Sequence, residues 1–202
     1  MDREEWNARY DTEDLVWSAE PNQFLVSEVG DLAPATVVDL ACGEGRNAIW
    51  LAEQGWHATG VDFSRTALDK GRQIAQRRGV TVEWIEADVS TWTPPEHGYD
   101  LVIAFYMQLK DPERSAAIGA ATRAVRKGGT FLFVAHDLKN LTEGFGGPPN
   151  EAVLYTHDEV AKRAEDAGLT IEKAGTVLRT VETDDGERNA IDTLVRASRP
   201  NR

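Results

Sequence analysis

The 202-residue sequence has one cysteine, Cys42, and so no internal disulfide. That excludes a disulfide-stapled secreted module and suits a reducing compartment. Positive charge is scarce: 22 Lys and Arg stand against 34 Asp and Glu, a net charge of −12. Such a surface repels phosphate backbones and anionic lipid headgroups, so neither nucleic acid nor a membrane is expected as a partner. No apolar run approaches bilayer length, and the longest, Leu101 to Met107 and Phe131 to Ala135, suit buried strands. The opening residues, Met1-Asp2-Arg3-Glu4-Glu5, lack the apolar stretch of a signal peptide, and a cytoplasmic location is expected. Internal repeats and long linkers are also missing. What remains, 41% hydrophobic and 28% charged, is a globular composition long enough for one well-cored domain.

From residue 36 to about 135, short β-branched runs alternate with amphipathic stretches, the pattern of repeated strand-helix units around a mostly parallel sheet. Strands are expected at 36–41, 57–62, 80–87, 99–105 and 129–136, and helices at 46–54, 65–78 and 112–125. Gly55, Gly79 and Gly168 read as left-handed helix stops, and Lys127-Gly128-Gly129 as the close of the third helix. A further helix over 157–168, opened by Thr156 or His157-Asp158, precedes two β-rich runs, 169–182 and 189–197. The Asp184-Asp185-Gly186-Glu187 stretch between them signals a hairpin. The expected fold is therefore α/β, a Rossmann-like three-layer sandwich whose seven-stranded, mostly parallel sheet ends in a C-terminal antiparallel hairpin. Residues 36–202 form its core, residues 1–35 a helical cover in the same domain, and the Gly/Pro-rich stretch 139–150 a mobile loop.

The segment Val37-Val38-Asp39-Leu40-Ala41-Cys42-Gly43-Glu44-Gly45-Arg46-Asn47-Ala48 runs from an apolar strand through a glycine turn into a helix. Ligands in open α/β sheets bind beyond the strands' carboxyl ends, where Gly43 and Gly45 permit close approach to backbone amides. Alone, such a turn also occurs without any ligand. Asp39, Asp62 and Asp88 collect three carboxylates at the same sheet edge. A dinucleotide would set its pyrophosphate beside Asp39 and Glu44, where like charge is costly. S-adenosylmethionine brings an ammonium and a sulfonium, and its one carboxylate has Arg46 to meet it. Asp62 is placed for ribose hydroxyls, Asp88 for an adenine amino group beside Val89, or else for capping a turn.

These residues, with Tyr99-Asp100-Leu101-Val102-Ile103-Ala104-Phe105 and Lys127-Gly128-Gly129-Thr130-Phe131-Leu132-Phe133, resemble the successive motifs of the class I S-adenosylmethionine-dependent methyltransferases. The resemblance spans about residues 36 to 137 and implies S-adenosylmethionine as cofactor, held at Asp39, Ala41, Gly43, Gly45, Arg46, Asp62, Phe63, Asp88, Val89 and Phe105. Gly43 to Ala52 and the small size resemble the small-molecule branch related to tellurite-resistance and thiopurine methyltransferases. Trp6 to Tyr10 is similar to the aromatic pair that closes over the cofactor in the thiopurine enzymes.

The expected reaction is methyl transfer to an O, N or S atom of a small, aromatic or heterocyclic molecule. A chalcogen oxyanion such as tellurite, a nicotinamide oxidoreductase on the same loop, and a cofactor-binding protein without catalysis are the alternatives. In-line displacement asks for alignment and exclusion of water more than for a dedicated base. Where a proton must be taken, His136 at the fifth strand's end and Tyr106 beyond the fourth are the candidates, because histidine ionises near neutral pH. His136, Tyr106, Tyr10 and Trp17 are expected to line the acceptor pocket, and Trp6, Trp92, Phe105 and Phe145 lie near enough to share in it. The segment 143–149 has the length of a lid. No metal is expected, since His57, His97, His136 and His157 pair with no second ligand at suitable spacing. Lys70, Arg72, Arg77 and Arg78 read as a solvated helix face, and Cys42 as a small packed residue.

Overall fold

A computed structural model describes residues 2–12, 14–16 and 19–201. The strands are β1 (Thr36–Leu40), β2 (His57–Asp62), β3 (Val82–Glu86), β4 (Tyr99–Phe105), β5 (Val125–His136), β6 (Thr170–Thr183) and β7 (Gly186–Ser198). They form one seven-stranded sheet in the order β3-β2-β1-β4-β5-β7-β6. Pairing is parallel from β3 through β5, whereas β7 runs antiparallel to both β5 and β6. The expected Rossmann-like sandwich with its C-terminal hairpin is thus the observed one.

Side-chain alternation sets the layers. Val38, Leu40, Val102, Ala104, Phe131 and Phe133 meet α5 (Glu113–Ala124) and α7 (His157–Asp166) on one face. Val37, Leu101, Ile103, Leu132 and Val134 lie on the other, under α2 (Gln23–Val29), α3 (Arg46–Glu53) and α4 (Arg65–Arg78). Strands buried on both faces must be apolar throughout, and each buried Leu, Ile or Phe contributes about 1.5–3 kcal/mol. Strand order reverses beside β1, so the carboxyl ends of β1 and β4 flank a crevice, the usual ligand position in such sheets.

Several boundaries differ from expectation for local reasons. β1 stops at Leu40 because Ala41 takes φ 55°. β3 starts at Val82 because the Val80 amide still bonds the Ala75 carbonyl in the turn that closes α4. Helix α5 ends where Val125 turns extended and enters β5, so Lys127-Gly128-Gly129 lies within that strand and does not close the helix. The hairpin turns through Asp184 and Asp185 between the paired Thr183 and Gly186, which lengthens both strands.

The stretch 139–150 is not the free loop expected. It holds a short helix, α6 (Asn140–Glu143), and the buried Asn140 carboxamide accepts from the Ile191 amide at 2.7 Å and donates to the Gly146 carbonyl at 2.8 Å. The Phe145 amide bonds the Asn189 carbonyl at 3.0 Å. Two of these hydrogen bonds fasten the segment to β7 and the third ties the segment to itself, removing the freedom a lid requires.

The N-terminal cover is equally tied down. Helix α1 (Arg3–Tyr10) opens with a capping box between Asp2 and Glu5, and Trp6 stacks on Tyr10 with ring centroids 5.6 Å apart. The Ser64 hydroxyl donates to Asn7 Oδ1 at 2.6 Å. Lys70 Nζ donates to the Asp14 carbonyl at 2.9 Å and pairs with buried Glu44 at 3.3 Å, while Arg78 donates to the Ala19 carbonyl at 3.0 Å. Two members of the basic cluster are therefore fasteners for Thr12, Asp14 and Ala19, which corrects the reading of that face as merely solvated.

Candidate active site

Beyond β1 the backbone makes a left-handed turn, with Ala41, Gly43 and Gly45 at φ 55°, 56° and 77°. A side chain in that region costs about 1 kcal/mol or more, so the turn is built where glycine lowers the cost. Asp62, at the end of β2, holds the turn: its Oδ2 accepts from the Gly43 amide and its Oδ1 from the Ser64 amide, both at 2.8 Å. A Cβ on Gly43 would lie 2.7 Å from the Tyr10 hydroxyl, so the cover packs directly on the turn.

Over this turn opens a cavity of about 610 Å³. At the glycine-turn end, Asp39, Ala41, Gly43, Arg46 and Asp62 line it, with Phe63, Asp88, Val89 and Phe105 alongside. Asp88 also does the modest work weighed for it, accepting from the Ser90 amide and hydroxyl at 2.9 and 2.6 Å. Asp39 is 2% exposed, and its Oδ2 is buried with no hydrogen-bond partner. Desolvation pushes its carboxyl up to about 8, against the Arg46 charge and the Ala48 amide, with Asp62 adding repulsion. Burial raises Asp62 as well, and burial lowers Arg46. Cys42 is driven well above the thiol range by burial and by Asp39 and Asp62, which leaves it protonated and inert.

Tyr10 and Trp6 of α1 line the cavity over the glycine turn, and its far end is lined by Tyr106 and His136 from the ends of β4 and β5. Tyr106 takes φ 53° and its ring lies 4.8 Å from that of His136. Its hydroxyl donates to Asp192 Oδ2 at 2.7 Å and accepts from Arg179 Nε at 3.0 Å and Asn22 Nδ2 at 3.4 Å. Burial, with Asp192 beside it, pushes the phenol above its ordinary range. Burial also presses Asp192 upward, but His136, Arg179 and Tyr106 outweigh it and hold that carboxyl below the usual range.

Not every expected residue is here. Gly45 does not line the cavity; its missing side chain makes room for Trp84, whose Cη2 would lie 2.3 Å from a Cβ. Trp92 packs on the core and Phe145 is exposed near β7. Trp17 lies outside the described residues. Sequence reading missed Asn22, Arg179 and Asp192. Asp192 had a signal: a charge in the apolar strand run Ala190-Ile191-Asp192-Thr193-Leu194-Val195 needs a buried partner. Among the described residues, no group of three His, Cys, Asp or Glu is placed to hold a metal ion, and no helix is long and apolar enough to cross a membrane.

Residues 37–129 match the family model of a methyltransferase domain. A curated relative, the ubiquinone biosynthesis O-methyltransferase of Serratia proteamaculans (strain 568), is 28% identical over 111 residues, 54% of this chain and 46% of that protein. The chain spans about half the length of the curated relatives it matches. Among solved structures, one from a study of the conversion of a disulfide bond into a thioacetal group during echinomycin biosynthesis superimposes with a TM-score of 0.77 at 24% identity, covering 98% of this chain and 92% of that one. A TehB-like SAM-dependent methyltransferase from Corynebacterium glutamicum ATCC 13032 Kitasato gives a TM-score of 0.62 at 18% identity, covering 97% and 95%. Over residues 37–129 the chain is thus similar to methyltransferase domains, and its fold is the one those solved structures share.

Proposed function

We propose that this protein transfers a methyl group from S-adenosylmethionine to an O, N or S atom of a small aromatic or heterocyclic molecule. The observation that carries the reading is the cavity's polarity. Asp39, Asp62 and Asp88 gather at one end with Asp39 Oδ2 buried and unpartnered, while His136 and Tyr106 stand at the other. A cationic nucleoside supplies the partner that Asp39 Oδ2 lacks, whereas a diphosphate would gain nothing from Asp39 and be repelled by the other acids. The residues present thus fit the cofactor. Asp62 retains lone pairs for ribose hydroxyls beyond its two amide bonds, Asp88 and Val89 suit the adenine, and Arg46 suits the carboxylate. When bound, the cofactor supplies an electrophilic methyl on a sulfonium. The chain aligns the acceptor against it between the α1 aromatics and Tyr106, keeps water out, and takes the acceptor's proton at His136.

A neutral acceptor is favoured over an oxyanion because Arg179, the cation at the acceptor end, is already bonded to Asp192 and Tyr106. Calorimetry with S-adenosylhomocysteine tests the donor half, with micromolar binding expected. Tight binding of NADH and none of S-adenosylhomocysteine would refute it. Mass spectrometry of phenol, N-hydroxy and thiol heterocycle panels then tests transfer. Silence across them despite firm cofactor binding would favour a binding protein without catalysis.

A further inference from the structure

Asp192 sits on β7 with no exposed surface. Its Oδ2 accepts from the Tyr106 hydroxyl at 2.7 Å and from Arg179 Nε at 2.8 Å. Its Oδ1 has no hydrogen bond but lies 3.3 Å from His136 Nδ1, which is likewise buried and unbonded. Two complementary atoms at that separation need only a slight turn of the imidazole to bond, and leaving both unmade in a buried site is costly. Gly147 closes the same edge of the ring, where a Cβ would meet Nδ1 at 3.2 Å. Nδ1 therefore faces protein. Nε2 is not among the buried unpartnered atoms, so it is the nitrogen left for the cavity that the ring lines.

We infer that Asp192 is the positioning residue of this site: it fixes His136 as the Nδ1–H tautomer and so keeps the Nε2 lone pair turned toward the acceptor. The inference rests on the methyl-transfer reading and gives the proton its route. As the acceptor's O, N or S atom forms its bond to the methyl carbon, the carbon–sulfur electron pair stays with sulfur and the acceptor's proton passes to His136 Nε2. The imidazolium then carries the charge beside the Asp192 carboxylate. Tyr106 is a poorer proton taker, because its hydroxyl already donates to Asp192 while its oxygen accepts from Arg179 and Asn22. The charged or titratable groups about the imidazole are Asp192 on β7, Arg179 on β6 and Tyr106 after β4. Arg179 and Asp192 are paired with each other at 2.8 Å.

The test reads the tautomer directly. Multiple-bond 15N–1H NMR of labelled, ligand-free protein distinguishes Nδ1–H from Nε2–H in each of the four histidines, and His136→Gln identifies the signal of interest. The wild type should show Nδ1–H at His136, a result that needs no variant to fold. In Asp192→Asn, Arg179 and Tyr106 both donate toward the former Oδ2, so the amide oxygen must occupy that position. Its NH2 group then points at Nδ1 and donates to it, inverting the ring to Nε2–H. Wild-type His136 in the Nε2–H form, or an unchanged tautomer in Asp192→Asn, overturns the inference. Calorimetry on the same samples separates the underlying reading: S-adenosylhomocysteine affinity should agree between the two proteins within about twofold, since Asp192 does not line the cavity. A large loss confined to Asp192→Asn makes Asp192 a general scaffold and overturns the positioning role. A flat titration with the wild type overturns the methyl-transfer reading itself, whatever the tautomers show.

Discussion

Cofactor affinity should depend on pH through Asp39. Its carboxyl, titrating at about 8 because burial strips it of water, meets Arg46, Asp62 and the Ala48 amide and has one oxygen without a partner. Pairing with the ligand's ammonium requires the anion, so binding must first expel a proton at lower pH. At pH 6, two units below the midpoint, that costs about 2.7 kcal/mol, or roughly a hundredfold in affinity. S-adenosylhomocysteine should accordingly bind about tenfold tighter per unit from pH 6 to 8 and level off above. Calorimetry in buffers of different ionisation enthalpy reads both the affinity and the proton released. Asp39→Asn should bind weakly with neither the slope nor the release. The reasoning fails if wild-type affinity is flat from pH 6 to 8 without proton release, or if the Asn variant keeps the slope. Stability carries the same linkage. The native state holds this proton up to about 8 while the unfolded chain releases it near 3.9, so the contribution is whole below that value and lost as pH rises toward 8. Asp62 is raised too, so Asp39→Asn should flatten the stability curve only in part.

Asp62→Ala should weaken S-adenosylhomocysteine binding by roughly 1–3 kcal/mol and also lower the melting temperature, because the Gly43 and Ser64 amides lose their acceptor; unchanged affinity would remove Asp62 from the ribose role. Gly45→Ala should cost about 2–4 kcal/mol in urea unfolding, from a left-handed φ and the clash with Trp84, and Trp84→Leu in the same chain should recover part of it. Wild-type stability in the single variant would disprove that packing. Lys70→Ala removes the ammonium that joins the Asp14 carbonyl to Glu44 and should speed proteolysis near Leu15 about tenfold, read by mass spectrometry of the fragments; equal rates would mean Leu15 is held by other contacts.

The glycine-turn end of the cavity was legible because it is local. Strand, turn and helix follow one another from Val37 to Ala48, and the acids at Asp39, Asp62 and Asp88 need only the parallel register to arrive at one edge. Gly45 misled because the same requirement for a missing side chain arises from an indole packed against the turn as from a ligand beside it. The acceptor end was half legible. Tyr106 and His136 terminate consecutive strands, but Arg179 and Asp192 reach Tyr106 from 73 and 86 residues away, through a hairpin register that no local pattern specifies. The stretch 139–150 reads as free from its glycines and prolines, but the buried Asn140 side chain and the Phe145 amide tie it to β7.

The cavity is divided along the chain as well as in space. Everything that the methyltransferase family model recognises ends at residue 129, whereas His136, Arg179 and Asp192 follow it and Tyr10 and Asn22 precede it. Of the far-end residues only Tyr106 falls inside that span, so His136 or Arg179 can be exchanged without altering any residue the family model reads.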